Sequence, residues 1–379
     1  MALVLTDEQR MVRESAEGFL AEHCPVSELR RLRDSNDPTG FDRSLWAKMA
    51  EMGFAGVAIP EAHGGAGLGM VAAGLVSEAI GRNLSPSPFL SNSVVAATIL
   101  GRGGSAEQQA DLLPAMAAGA LLVALASDER ARHAPAHIAT RAEPSGNGFR
   151  LSGTKTHVLD GHVADRLIVA ARTSGADDDL HGITLFLVDP KAEGVQVTRR
   201  AMVDSHNAAE LRLDSVGVDG ADMIGGLGEG LVLLEAALDA GRACLAAEML
   251  GASAQSFEVT LDYLKTREQF GRPIGSFQAL QHRSAHLFCE LELARSVTLR
   301  ALKALDGEED RAPLFCALAK AKVGEVARLA TNEGVQMLGG IGMTDDHDIG
   351  FYMKRARTAG ETFGDAAFHG ARVARLLGI

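Results

Sequence analysis

Hydrophobic positions recur at helical spacing through the first third of the chain. Met11, Ala16, Phe19 and Leu20 follow Leu5-Thr6-Asp7-Glu8-Gln9, where Thr6 and Gln9 stand at the spacing of a capping box. Pro60-Glu61-Ala62-His63-Gly64-Gly65-Ala66-Gly67 breaks that pattern as a loop between helices. From about residue 120 the texture becomes strand-like. Residues 166–171 and 183–188 are short β-rich runs, and 195–198 and 210–214 alternate as half-buried antiparallel strands do. Gly146-Asn147-Gly148 and Ser174-Gly175-Ala176-Asp177 are turns between them. Strands and helices do not alternate, which disfavours a doubly wound sheet. Residues 231–264 then read as one long helix, apolar around much of its circumference and so suited to the inside of a bundle. Further helices are predicted over 277–305, 312–337 and from 349 to the C-terminus. No repeat of fixed period is present. The predicted organisation is a helical domain (1–119), a β domain (120–224) and a helical bundle (225–379).

Gly225-Gly226-Leu227-Gly228-Glu229-Gly230, at the second boundary, has a superficial likeness to a phosphate loop. No lysine follows it and no βαβ unit surrounds it, so it is expected to be a flexible joint. Composition narrows the function classes. The chain has 379 residues, 46% of them hydrophobic and 23% charged, as in an ordinary soluble protein and unlike a disordered or fibrous one. Its formal charge of −12 argues against binding a nucleic-acid backbone. Cys24, Cys244, Cys289 and Cys316 lie far apart, without zinc spacing, and are expected to be reduced thiols of a cytoplasmic protein. The first residues lack the pattern of a signal peptide, and the apolar stretch 112–127 is short and carries Pro114, so no membrane span is expected.

Three constellations carry possible chemistry. His282, His286 and Glu290 share one helix face, yet no glutamate follows His282, and a solvated face is the better expectation. Thr344-Asp345-Asp346-His347-Asp348 lacks calcium-loop spacing and reads as a polar turn. The sharpest segment is Arg267-Glu268-Gln269-Phe270-Gly271-Arg272-Pro273-Ile274-Gly275-Ser276-Phe277-Gln278. An arginine at the end of a long helix suits a phosphate, which it can hold through two hydrogen bonds. Phe270 and Phe277 could flank a planar ring and Gln278 could bond its edge, although a surface arginine beside two core phenylalanines fits the same residues.

At this segment the chain resembles the acyl-CoA dehydrogenase family, and the resemblance runs over nearly its whole length. It is carried by Leu45-Trp46, Gly53, Pro60-Glu61, Gly64-Gly65-Ala66-Gly67, Glu78 and Gly81-Arg82. Gly153-Thr154-Lys155, Gly161 and Ala164-Asp165 continue it, then Asp239, Arg242, the Arg267 segment and Gln336-Met337-Leu338-Gly339-Gly340-Ile341-Gly342. The resemblance implies an α+β multidomain protein with an N-terminal α-helical domain, a middle β-barrel-like domain and a C-terminal four-helix bundle. It implies FAD as cofactor, an acyl-CoA substrate, a dimer of dimers and an electron-transfer flavoprotein as acceptor. It assigns Arg267 to the FAD diphosphate of a neighbouring subunit, and Gln269, Phe270, Gln278, Gln336, Gly339 and Gly340 to positions near the same cofactor.

The implied reaction is α,β-dehydrogenation of an acyl thioester, in fatty-acid or steroid side-chain β-oxidation. It needs a carboxylate base near the α carbon and polarisation of the thioester oxygen. Here the chain departs from the family. The place of the common base, a Glu before a Gly, is Phe363, and the place of the alternative base is Gly241. In the middle domain the expected flavin-contact stretch is Ser127-Asp128-Glu129-Arg130, which leaves Ser127 as the plausible contact. The tryptophan that usually walls the flavin is His157. Glu361 and Asp365 lie two residues either side of Phe363, a helical rotation of about 200° away, so only a loop or kink would let one of them act as base. The expectation is therefore a base-lacking subunit paired with a homologous base-bearing chain in an α2β2 assembly. An active homotetramer with a displaced carboxylate, or a non-redox CoA-thioester-binding protein of the same fold, are the alternatives.

Overall fold

The computed structural model describes residues 3–379. Helix α1 (Asp7–His23) begins at the expected capping box: the Thr6 hydroxyl accepts from Gln9 N at 3.2 Å, and Gln9 Oε1 accepts from Thr6 N at 3.0 Å. Helices α2 (Val26–Asp34), α3 (Arg43–Glu51), α4 (Gly69–Asn83), α5 (Ala97–Gly103) and α6 (Ala106–Ala117) complete the N-terminal helical part. Strands β1 (Val123–Ala126), β2 (Arg141–Ser145), β3 (Gly148–Leu159), β4 (Arg166–Arg172), β5 (Ile183–Val188), β6 (Val195–Ala201), β7 (Asn207–Asp219) and β8 (Met223–Ile224) form the middle part. The C-terminal part holds α7 (Gly230–Thr266), α8 (Gln278–Asp306), α9 (Ala312–Leu338), α10 (Ile349–Glu361) and α11 (Ala366–Leu377). The short strands β9 (Glu268–Gln269) and β10 (Arg272–Pro273) form a hairpin between α7 and α8. Among the described residues no helix is long and apolar enough to cross a membrane.

The chain forms two compact units, neither contiguous in sequence. One comprises the N-terminal segment through Arg31, Met70–Ser85 and Arg242–Ile379. Its central contact joins α4 and α7 through glycines. A Cβ at Gly81 would stand 1.9 Å from the Glu248 carbonyl oxygen, and one at Gly251 would stand 1.9 Å from that of Glu78. The two helices therefore meet backbone to backbone. Asp306, at the end of α8, caps α4 by accepting from Met70 N and from Val71 N, the latter at 3.0 Å. Arg82 donates both guanidinium arms to Glu258, and the Tyr352 hydroxyl donates to Arg82 O at 2.7 Å.

The other unit comprises Leu32–Gly69 and Pro86–Gly241. Its sheet runs β6-β7-β3-β2-β4-β5-β8, with β1 parallel to β4. Alternate positions such as Leu151, Leu167, Val169, Phe186, Leu211 and Leu213 form one apolar core, which is why these strands read as alternating or continuous apolar runs. The segment Phe89–Ala96 is π-helical and is fixed to the sheet: Asn92 Oδ1 accepts from Val123 N at 2.9 Å, and the Ser91 hydroxyl bonds Asp160 at 2.5 Å. Arg172 is fully buried and has no carboxylate partner among the described residues. Its guanidinium donates to the carbonyls of Ile138, Ala136, His181, Asp177 and Asp179 at 2.8–3.1 Å.

Two expectations need correction. The glycine-rich 225–230 segment is a pinned connection. Gly225 N donates to Gly103 O at 2.9 Å, Gly228 N to Thr184 Oγ1 at 2.9 Å, and Gly182 N to Gly228 O at 3.0 Å. Its glycines supply left-handed backbone (φ +76 at Gly225, +79 at Gly228), which the route requires. The expected helix from residue 349 to the C-terminus breaks into α10 and α11, because Phe363 (φ +58) and Gly364 (φ +105) leave helical space.

The α4–α7 contact gives a paired prediction. Gly81→Ala should lower stability by on the order of 3 kcal/mol, because backbone rather than a flexible side chain must yield. Gly18→Ala, in α1 with nothing within 4 Å of the added carbon, should raise it by about 0.5–1 kcal/mol. Thermal melts of the two variants beside the parent protein check both signs.

Candidate active site

The turn between α10 and α11 is the most constrained place in its unit. Phe363 is a non-glycine residue in left-handed backbone, a conformation that needs outside support. Support comes through carbonyl oxygens. Phe363 O accepts from Arg242 Nε at 3.2 Å and from His369 Nε2 at 3.0 Å. One residue on, Gly364 O accepts from Lys320 Nζ at 3.0 Å, and the same ammonium reaches Gly360 O at 2.9 Å. Arg242, Lys320 and His369 are each at most 1% exposed. Gly364 itself is required: a Cβ there would meet the Phe368 ring at 2.5 Å and His369 Nε2 at 2.9 Å.

Burial and neighbouring cations dominate the electrostatics of Lys320 and His369. Burial, then the Arg242 charge, brings the Lys320 ammonium down to about 7. Burial together with Arg242 and Lys320 pushes His369 down to about 2, so its ring is neutral and Nε2–H is the donor to Phe363. The Arg242 guanidinium also lies 5.7 Å from the centroid of the Phe368 ring. Nearby, Arg355 pairs with Glu248 at 2.6 Å, both nearly buried.

Neither carboxylate that flanks Phe363 reaches into this cluster. Glu361 ends α10, is exposed, and lies 3.5 Å from Arg357 on its own helix. Asp365 is exposed and caps α11 by accepting from Phe368 N at 2.7 Å. Gly241, the other base position, lies inside α7 next to Arg242 and has no side chain. The break in the helix is therefore real, but it does not turn either carboxylate inward.

The Arg267 segment lies just beyond α7. The guanidinium of Arg267 is exposed and has no hydrogen-bond or ion-pair partner among the described residues. Gln269 and Phe270 sit on the β9–β10 hairpin, Phe270 with 92% of its surface exposed and left-handed backbone (φ +53). Phe270 and Phe277 do not form parallel walls, and Phe270 is no core residue. Their rings stand perpendicular with centroids 6.1 Å apart, and Arg272 covers Phe277 at 4.1 Å. Gln278 opens α8 and Gln336 lies in the last turns of α9, both exposed. Gly339 (φ +67) and Gly340 follow α9, and a Cβ at either would meet nothing within 4 Å.

In the sheet unit, Ser127 and His157 occupy adjacent backbone segments, because Thr156 N donates to Asp128 O at 2.7 Å. Ser127 is buried and its carbonyl accepts from Lys155 Nζ at 3.3 Å. His157 is exposed, with φ +53, at an irregularity of β3. Lys155 also pairs with Glu129 at 2.6 Å, and Glu129 accepts from Ala139 N and Thr140 N. Burial opposes the Glu129 charge, but Lys155 and these donors leave its carboxyl below the usual range. The sequence offered no separate role for Lys155, Glu129, His369 or Lys320. Lys320 had one signal, a single cation on the apolar face of the predicted helix over 312–337.

The two other constellations have ordinary surroundings. Arg30 bonds Asp345 at 3.1 Å and Asp348 at 2.7 Å, with its guanidinium 4.8 Å from the Phe351 ring centroid, so the acidic turn is where α2 is held. On α8, His282 and His286 are exposed while Glu290 is paired with Lys322. No group of three His, Cys, Asp or Glu side chains placed to hold a metal occurs among the described residues.

Comparison with known proteins adds three family matches in chain order: acyl-CoA dehydrogenase N-terminal domain over residues 6–120, middle domain over 124–216 and C-terminal domain over 228–378. Acyl-CoA dehydrogenase IpdE2 of Mycobacterium tuberculosis is 32% identical over 351 residues, 92% of this chain and 91% of that protein. A chain of the Tcur3481–Tcur3483 steroid acyl-CoA dehydrogenase, solved as a variant, superposes with TM-score 0.87 at 33% identity, covering 98% of each chain. A chain of the ChsE4–ChsE5 complex of Mycobacterium tuberculosis superposes with TM-score 0.90 at 30% identity, covering 100% of this chain and 99% of that one.

The neutral, buried His369 has a consequence for acid stability. Its folded value lies below the ordinary 6.5, so the unfolded chain takes up a proton that the folded one refuses as pH falls from 6.5 towards 2. Stability from this group is complete above 6.5 and declines below it, by about 2 kcal/mol between pH 7 and pH 5. His369→Gln keeps an N–H donor for Phe363 O without the titration. Denaturation at the two pH values should show a smaller acid loss for the variant than for the parent.

Proposed function

Because the chain belongs to the acyl-CoA dehydrogenase family, we propose that it is the base-lacking subunit of a heteromeric FAD-dependent enzyme for α,β-dehydrogenation of an acyl-CoA thioester. The carrying observation is the Phe363 turn, where the family base is replaced by an apolar side chain, Gly241 supplies none, and Glu361 and Asp365 face outward. Further support is the likeness to chains of two solved heteromeric assemblies, one of them a steroid acyl-CoA dehydrogenase. The partner would be a homologous base-bearing chain in an α2β2 tetramer, with an electron-transfer flavoprotein as acceptor, working in the cytoplasm. The three functional domains are taken as 1–119, 120–224 and 225–379.

The residues present fit FAD. Arg267 is an unpaired exposed cation able to hold a diphosphate through two charge-assisted hydrogen bonds. Gly339 and Gly340 leave their surface open to a bulky ligand, with Gln336 beside them. Gln269, Phe270 and Gln278 would line the same cofactor, that of a neighbouring subunit, and Ser127 and His157 are the candidate flavin contacts of the sheet unit. FAD supplies the acceptor for hydride from the β carbon. The chain's own contribution is to bind and orient: Arg267 neutralises phosphate charge, while Phe363 contributes shape where a proton acceptor would stand. Arg242, Lys320 and His369 keep that turn in place.

The visible spectrum of the purified chain tests this directly, before and after anaerobic addition of an acyl-CoA panel. An incomplete site gives no flavin band, or a band that does not bleach, until a base-bearing partner is supplied. Bleaching by the chain alone would overturn the assignment. In the assembly, Arg267→Met should weaken FAD binding about tenfold or more, read by flavin retained on dilution.

A further inference from the structure

A cavity lies in the helical unit, and the side chains around it have no part in the chemistry above. It encloses about 240 Å³ among the N-terminal segment, α1, α4, α7 and α8. Leu75, Leu250, Leu299 and Leu302 give it apolar walls, and Leu3 and Leu5 cover one side. The covering segment is tied down: Lys303 Nζ donates to Val4 O at 2.6 Å and Arg10 Nη1 to Leu5 O at 2.8 Å.

The polar groups of the lining differ in one respect. Arg295 donates to Glu78 at 2.6 Å and lies 3.5 Å from Glu292, so one cation serves both carboxylates. The hydroxyls of Ser296 and Thr298 donate to helix carbonyls, those of Glu292 and Ala294. Arg13 is the exception. It lines the same cavity, is half-buried, and has no hydrogen-bond or ion-pair partner among the described residues. A half-buried guanidinium has lost part of its hydration and gained nothing in exchange, which a bound anion would correct.

We propose that this cavity binds a short to medium-chain carboxylate, its head on Arg13 and its tail along Leu75, Leu250, Leu299 and Leu302. The volume equals about eight water molecules at ~30 Å³ each, room for a tail of about six to eight carbons. It is smaller than the range of about 300–1,000 Å³ typical for drug-sized ligands, and so far too small for a CoA thioester. Water alone is a poor occupant, since the walls offer few free polar partners. The site is independent of the flavin and acyl-CoA assignment.

The test uses the full-length chain as purified, with hexanoate and octanoate as probes and octanol as the uncharged control. Calorimetric titration should show saturable octanoate binding, and the melting temperature should rise with octanoate concentration. Arg13→Met should weaken octanoate about tenfold or more while leaving octanol within twofold. Leu299→Trp, which fills the cavity, should abolish both. An unchanged melting temperature of the unliganded Arg13→Met variant establishes that it folds. Absence of saturable octanoate binding up to about 10 mM overturns the proposal, as does equal binding by the parent and Arg13→Met, which would place the carboxylate elsewhere.

Discussion

A buried guanidinium and a buried ammonium, both donating to main-chain carbonyls, hold the α10–α11 turn. Arg242 and Lys320 fix the oxygens of Phe363, Gly364 and Gly360, and neutral His369 adds a third donor. Burying such charges is costly unless every donor finds a partner. Here carbonyls of the turn are among the partners, so the chain must follow one path to supply them. That path fixes which residue faces inward at position 363 and leaves Glu361 and Asp365 outside. The same constraint explains how an apolar side chain can stand at position 363 without the turn relaxing: Arg242 and His369 bond the backbone of that residue.

The electrostatic design differs between the two units. In the sheet unit the Lys155–Glu129 pair neutralises itself and anchors the strand-following segment that contains Ser127. In the helical unit, burial and neighbouring cations lower the proton affinity of Lys320 and His369. The α4–α7 crossing provides the rigid frame for this arrangement. Two glycines bring the backbones together, and Glu248, beside that contact on α7, pairs with Arg355 of α10.

Much of the architecture was legible because it rests on periodicity. The α1 start followed from Thr6 and Gln9, and α7 to α9 from long apolar patterns without internal breakers. The α10–α11 break was not, since Phe363 is no turn former and only Gly364 hinted at it. Its left-handed backbone is imposed by tertiary hydrogen bonds from residues more than forty positions away in the case of Lys320. The 225–230 segment misled for a related reason: glycines signal permitted conformations, and hydrogen bonds to Gly103, Thr184 and Gly182 then select one. The candidate site residues rest on a family resemblance, while the groups that hold the turn carry no local signature. A lysine on an apolar helix face was the single trace of them.

Arg172 has a mechanical consequence. Its one side chain holds carbonyls from two loops, residues 136–138 on one side of β2 and residues 177–181 on the far side of β4. Ile138 N also donates to Asp177 O at 2.9 Å, so the two loops restrain one another directly and are expected to open as a single cooperative piece. The two loops behave like a hasp closed by one pin, and exchange of their amides with solvent is expected to follow that one opening event.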